Sequence, residues 1–308
     1  MTTGTEPATR PGSRAGSAPD GCLACAPVAD HAPRPPSHHA VFRALALDTC
    51  PADLEIGFAL AFQRTYGLPA VATALHATGK AVSRPRERAK DTGRVMYAVI
   101  RHGLAPGSPG HAAVRRLDAL HAPHWLGADA ARYVIAALIV VPLRWLDRHG
   151  RRPACHHERA AAHRLFTEMG ELMGVRGLPT SWESTAAWAD AFEADHFRYT
   201  PEAGRLMAAT RTYLAHRLPT ALRPLAPLAG AAWAALLDDR LRLATGVSRP
   251  PAPVRAAVAA ALHLRSRGRR RRAVTGAADG ADGADGAVTG AGRAPERRAG
   301  SPATRAAG

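Results

Sequence analysis

Three features of the sequence predict an all-α fold. Apolar residues recur at helical spacing through most of residues 40–266. No run alternates in the way a half-buried strand does. Proline, glycine and aspartate punctuate the apolar segments where helices start and stop. The simplest arrangement of such elements is a single closed helical bundle. Its limits follow from composition. Residues 1–38 are rich in Pro, Gly, Ser, Ala and Thr, and residues 267–308 pass from arginines into Gly-Ala-Asp repeats. Neither end has the apolar area to offset the entropy of ordering, so both are expected to be disordered around a helical domain spanning 39–266.

Element by element, Pro51 opens a helix that carries Leu60 and Phe62, and Gly67-Leu68-Pro69 ends it. Residues 69–78 form the next helix, and the stretch from Arg84 to Val99 is partly helical. Residues 103–110, with three glycines and two prolines among them, make a loop before a helix over 111–125. Asp129 begins a very apolar helix that Pro142 interrupts or caps. Residues 149–153 form a loop, and an amphipathic helix over 156–173 buries Ala161, Leu165, Met169 and Met173. Thr180 and Glu183 have capping-box spacing ahead of a helix anchored by Trp188 and Phe192. Further helices are expected over 201–217, 224–237 and 252–265.

The formal charge is +16, from 41 basic and 25 acidic residues. Much of the excess is local, since Arg265, Arg267 and Arg269 to Arg272 stand together. No aromatic residue is interleaved there, so specific nucleic-acid binding is not expected. The apolar run from Tyr133 to Arg144 is too short to span a bilayer, and no basic-then-apolar leader precedes the domain. The expected location is cytoplasmic, with peripheral membrane contact left open.

Cys22 and Cys25 have the spacing of a metal or redox pair. No second such pair exists, and the nearby His31, His38 and His39 match no standard finger, so the pair reads as unassigned. His156, His157 and Glu158 are consecutive, and consecutive helix positions do not share a face. There is no phosphate loop, no H-E-x-x-H and no nucleophile elbow. Glu158 and Glu168 are expected in structural salt bridges.

Two segments carry the chemistry. In the first, Arg88 and Thr92 are four apart and share a helical face, with Asp91 between them. A buried arginine needs an anion or a dense hydrogen-bond network. It would hold a cofactor carboxylate or orient a substrate, and Asp91 would pair with it or accept a proton. In the second, His121 follows Leu117 and Leu120, with His124 three residues on. Imidazole can ligate haem iron or another metal, act as a base, or be structural. Arg144, following the most apolar helix, is expected to anchor a carboxylate.

Taken as a series, these residues resemble the MpaB-type oxygenase family, the group that includes latex-clearing rubber oxygenase. The likeness runs from Arg88-x-x-Asp91-Thr92 through Leu120-His121-Ala-Pro, Val141-Pro-Leu-Arg144-Trp145 and His149-Gly-Arg-Arg-Pro153. It continues through Glu158, Met169-Gly170, Leu178-Pro-x-Ser181 and Phe197-x-Tyr199, covering about residues 50–265. The resemblance implies a partly globin-like bundle holding haem b, with His121 as proximal iron ligand. It implies Arg88 and Thr92 on the distal side, Arg144 as a further cofactor-binding residue, and dioxygen as co-substrate. The implied reaction is oxidative cleavage of a double bond in an apolar lipid, terpenoid or polyprenyl molecule. The rubber-cleaving branch has lysine where this chain has Asp91, which argues against polyisoprene as the substrate. His124 matches no required ligand. Two alternatives stand beside this reading: a haem protein with peroxide or sensing chemistry, and a non-enzymatic helical regulator whose basic tail binds polyanions. Neither the substrate nor the oligomeric state follows from the sequence.

Overall fold

In the computed structural model the described residues are Cys22, Cys25, 36–121 and 126–282, with side chains described as far as 267. They form thirteen α-helices, with short 3-10 and π segments and no strand. The all-α, single-domain expectation holds. Of the ends expected to be disordered, 1–38 and 267–308, residues 1–21, 23–24, 26–35 and 283–308 lie outside the described residues.

The centre of the bundle is α7 (Ala128–His149), with twelve buried residues between Ala130 and Leu146. One of its faces, with Ile135, Leu138, Ile139, Leu143 and Leu146, packs into a core built from α1 (His38–Arg43), α2 (Pro51–Arg64), α5 (Pro85–His102) and α8 (His156–Leu172). Its other face, with Ala130, Tyr133, Ala136 and Ala137, enters a second core with α9 (Trp182–His196), α10 (Pro201–His216), α11 (Ala226–Ala234) and α12 (Asp239–Thr245). The short α3 (Pro69–Ala77) and α4 (Lys80–Ser83) lead from α2 to α5 and pack on α10. The α5–loop–α6 hairpin (α6, Pro109–His121) lies alongside, turning at Gly103, whose φ is +69°.

Pro142 corrects one expectation, because α7 runs through it. An interior proline removes a helical hydrogen bond and crowds the preceding turn. Here α2 covers the site: a Cβ built on Gly57 would lie 2.5 Å from the Pro142 Cα. Glycine at 57 lets the two backbones nearly touch, and α2 packs more extensively on α7 than any other helix does.

Other boundaries also differ. Residues 38–49, given no element from sequence, form α1 and a π-helical segment that buries Val41, Phe42, Leu45 and Ala46. The cap of α9 is Ser181 with Ser184, one residue beyond the expected pair: each hydroxyl accepts from the other's backbone N–H at 3.1 Å. The last helix, α13 (Ala252–Asp282), runs past the boundary expected at 266, since alanine and arginine favour helix as strongly as any residues do. Arg265 on α13 pairs with the buried Asp53 in the first turn of α2 (2.7 Å). Among the described residues no single helix is long and apolar enough to cross a membrane.

Ion pairs join helices distant in sequence. Glu193 on α9, only 3% exposed, receives both arms of Arg64 (each 2.6 Å) and the Tyr133 hydroxyl (2.8 Å). Arg64 also binds Asp238. Arg144 on α7 grips Asp190 on α9 through two bonds of 2.6 and 2.7 Å. The Arg144 hydrogen bond holds the Asp190 carboxyl below its usual range against the opposing effect of burial. Burial pushes Asp238 up, but the Arg64 charge and the Leu241 amide outweigh it, so that group too is held low.

Two measurements test this packing. Gly57→Ala should lower the unfolding free energy by roughly 1–3 kcal/mol through forced separation of α2 and α7. Gly93→Ala, where the added methyl meets open space on a helix, should raise it by roughly 0.4–1 kcal/mol. Equal effects in urea denaturation would refute the close-crossing account. For the acidic pairs, both carboxyls are depressed in the folded state. Their stabilisation is present above the ordinary carboxyl range near about pH 4 and is lost as pH falls through the lower folded values. Asp190→Asn with Asp238→Asn should therefore flatten the acid limb of the stability–pH curve. An unchanged acid limb would show that these pairs do not set it.

Candidate functional site

A cleft of about 1000 Å³ opens between α2, α5 and α10. Its walls are largely apolar, with Leu54, Phe58 and Phe62 from α2 and Met96 and Ile100 from α5. Charged residues also line it: Arg86, Arg88 and Lys90 on α5, Arg217 just beyond α10, and the carboxylates Glu55 and Glu87. Polar groups with shorter reach are Thr92, Tyr66, Thr210 and Tyr213. Tyr66 is desolvated, which pushes its phenol up despite the nearby Arg88 charge and a hydrogen bond with Thr210. At neutral pH it is therefore a neutral hydroxyl.

The geometry on α5 follows from helical period. Arg88, Thr92 and Met96 lie at successive i, i+4 positions, and all three line the cleft. This is the face that the sequence singled out. Asp91, about 100° round the helix from Thr92, is not among the residues that line the cleft. It is exposed, accepting from Lys80 (2.8 Å) and Arg94 (3.1 Å). The Lys80 hydrogen bond holds its carboxyl below the usual range. Neither a pairing with Arg88 nor proton transfer into the cleft follows from that position.

His121 is the last residue of α6, one turn beyond Leu117, and is exposed. It does not line the cleft. His124 lies outside the described residues. Arg144 also stays away from the cleft. Because α7 continues through Pro142, Arg144 projects from the helix toward α9, where Asp190 takes both of its nitrogens. It anchors a carboxylate, as expected, but one that belongs to the protein rather than to a cofactor. Glu158 and Glu168 are structural as expected. Glu158 is bound to Arg152, and Glu168 to Arg164 and His38.

The residues that sequence reading missed come from other helices. Phe58, Phe62 and Tyr66 belong to or follow α2, and Thr210, Tyr213 and Arg217 belong to or follow α10. Their apolar and small polar types suit a core as well as a pocket, so only the packing identifies them. A second group, Cys22, Cys25, Cys155 and His157, converges at the start of α8 with ligand atoms within 4.8 Å of one another.

The cleft is at the upper end of the roughly 300–1,000 Å³ typical of small-molecule sites. Tested against haem, its apolar walls suit a macrocycle, and Arg86, Arg88 and Arg217 suit carboxylate side groups. Glu55 and Glu87 line it as well and no histidine does, so the lining matches the ring in polarity but supplies no axial ligand. No curated protein matches the chain. The family described as ER-bound oxygenase mpaB/B'/rubber oxygenase, catalytic domain, matches residues 52–267, a span that holds almost the whole cleft wall and the Arg88–Thr92 face. On that match, which covers well over half of its length, the chain belongs to the mpaB/rubber oxygenase catalytic-domain family.

Proposed function

We propose that the chain is a haem b-dependent oxygenase. Its substrate would be an apolar lipid, terpenoid or polyprenyl molecule whose carbon–carbon double bond is cleaved with dioxygen. The observation that carries this reading is the cleft itself, where Arg88 and Thr92 face a large apolar chamber in a member of an oxygenase family. When bound, haem would supply the activation of dioxygen and the electronic steps of alkene oxidation.

The chain's own residues have separable tasks. Phe58, Phe62, Met96 and Ile100 would hold an apolar substrate and exclude water. Arg88 and Thr92 would donate hydrogen bonds to negative charge developing beside them in the cleft, where low dielectric strengthens them. Arg86 and Arg217 would meet the cofactor's carboxylates. The assignment of His121 as iron ligand rests on the family likeness. Asp91, ion-paired at the surface, would fix the start of α5 against Lys80 rather than move a proton.

The test begins with protein produced under ample haem supply. A pyridine haemochrome assay should find haem b in stoichiometric amount. Folded protein that takes up none would remove the haem reading and favour a binding or regulatory role. His121→Ala should abolish the ligand-field signature of imidazole-bound iron while circular dichroism stays helical. An unaltered spectrum would remove His121 from the iron. Arg88→Ala should slow dioxygen consumption with a terpene alkene by roughly 100-fold or more, with little change in unfolding free energy. Turnover equal to that of the wild type would mean that Arg88 has no part in the reaction.

A further inference from the structure

We propose that Cys22, Cys25, Cys155 and His157 form a structural zinc site that clasps the N-terminal arm to the start of α8. The four ligand atoms lie within 4.8 Å of one another. The Cys155 Sγ is 3.2 Å from that of Cys22 and 3.4 Å from that of Cys25, and His157 Nδ1 is 3.3 Å from Cys25 Sγ. Zinc–sulfur bonds of about 2.3 Å at tetrahedral angles put sulfur atoms roughly 3.8 Å apart, so a zinc ion fits with small outward shifts.

Both halves of the site are shaped for ligation. In the arm, the Cys25 N–H donates to the Cys22 carbonyl (3.1 Å), a turn that carries both sulfurs to one side. Cys155 is the residue before α8, and His157 lies within its first turn. Cys155 is fixed from behind. Its N–H donates to Glu158 Oε2 (2.9 Å), and that carboxylate, 1% exposed, takes both arms of Arg152 (2.6 and 2.7 Å). Such outer contacts orient a ligand before the metal arrives.

The donor set selects the ion. Three thiols and one imidazole suit zinc rather than magnesium or calcium, which prefer oxygen. Four protein ligands leave no position for substrate, so the role is structural. All four cysteines of the chain are free thiols, and only Cys50 stands apart from this cluster. None of the four ligands lines the cleft, so the site stands apart from the haem reading.

The test uses the full chain, produced with zinc and purified reduced. Elemental analysis should find zinc in stoichiometric amount, separately from iron. Substituting Cys155 disturbs the start of α8 itself, so the arm cysteines carry the test. Cys22→Ser with Cys25→Ser should abolish zinc binding while the helical circular dichroism persists. His157→Ala, with water able to replace one ligand, should weaken zinc binding about ten-fold or more. Chelation should speed alkylation of Cys22, Cys25 and Cys155 but leave the buried Cys50 slow. Any of three results would overturn the proposal: no zinc uptake by the reduced wild type, unchanged zinc in the double variant, or a disulfide among these cysteines in the zinc-supplied protein.

Discussion

The near-contact of α2 and α7 at Gly57 and Pro142 sets the rest of the architecture. With a side chain at 57 the two helices would have to separate. Their closeness lets α7 serve two cores at once, with α2, α1 and α8 on one side and α9 to α12 on the other. It also fixes how far the opposite face of α2 stands from α5 and α10. Phe58 and Phe62 are on that helix, so the depth of the crossing determines the width of the cleft. A backbone contact with no polar chemistry thus bears on the dimensions of the largely apolar cleft.

Charge is the second organising constraint. The chain has 41 basic residues, and only Lys80 and Lys90 are lysines. Arginine's planar fork is put to use where some of these side chains are half-buried and bind carboxylates through two nitrogens. Arg64 with Glu193, Arg144 with Asp190 and Arg152 with Glu158 all do so. Such pairs are weak sources of net stability, but losing one partner strands a charge away from water. They make the positions of α2, α7 and α9 mutually dependent. The basic composition therefore reports internal architecture as much as any surface field.

Much of this was legible from local chemistry. Helical period located most helices, and the four-residue spacing of Arg88 and Thr92 placed them on one face, now seen lining the cleft. Failures arose where tertiary contacts overrode local rules. Pro142 looked like a break because the compensating glycine lies on another helix. Arg144 looked ligand-facing because Asp190 is 46 residues away. Asp91 looked catalytic from adjacency, although helical rotation turns it to solvent. Cys22 and Cys25 looked unassigned because their partners lie about 130 residues on. His157 was dismissed for sharing no face with its neighbours, but its partner in the cluster is Cys155, two positions back, with the arm supplying the rest.

The described part of the arm meets α8 at two places. Cys25 meets Cys155 at the start of α8, and His38 meets Glu168 near its end at 3.0 Å. Along a helix those thirteen positions span about 20 Å at 1.5 Å each. From His38 the chain enters α1 and the π-helical segment, which buries Leu45 in the main core and carries Ala46 and Leu47 to the cleft. The contacts that position the arm on α8 are therefore continuous, through α1, with one rim of the cleft.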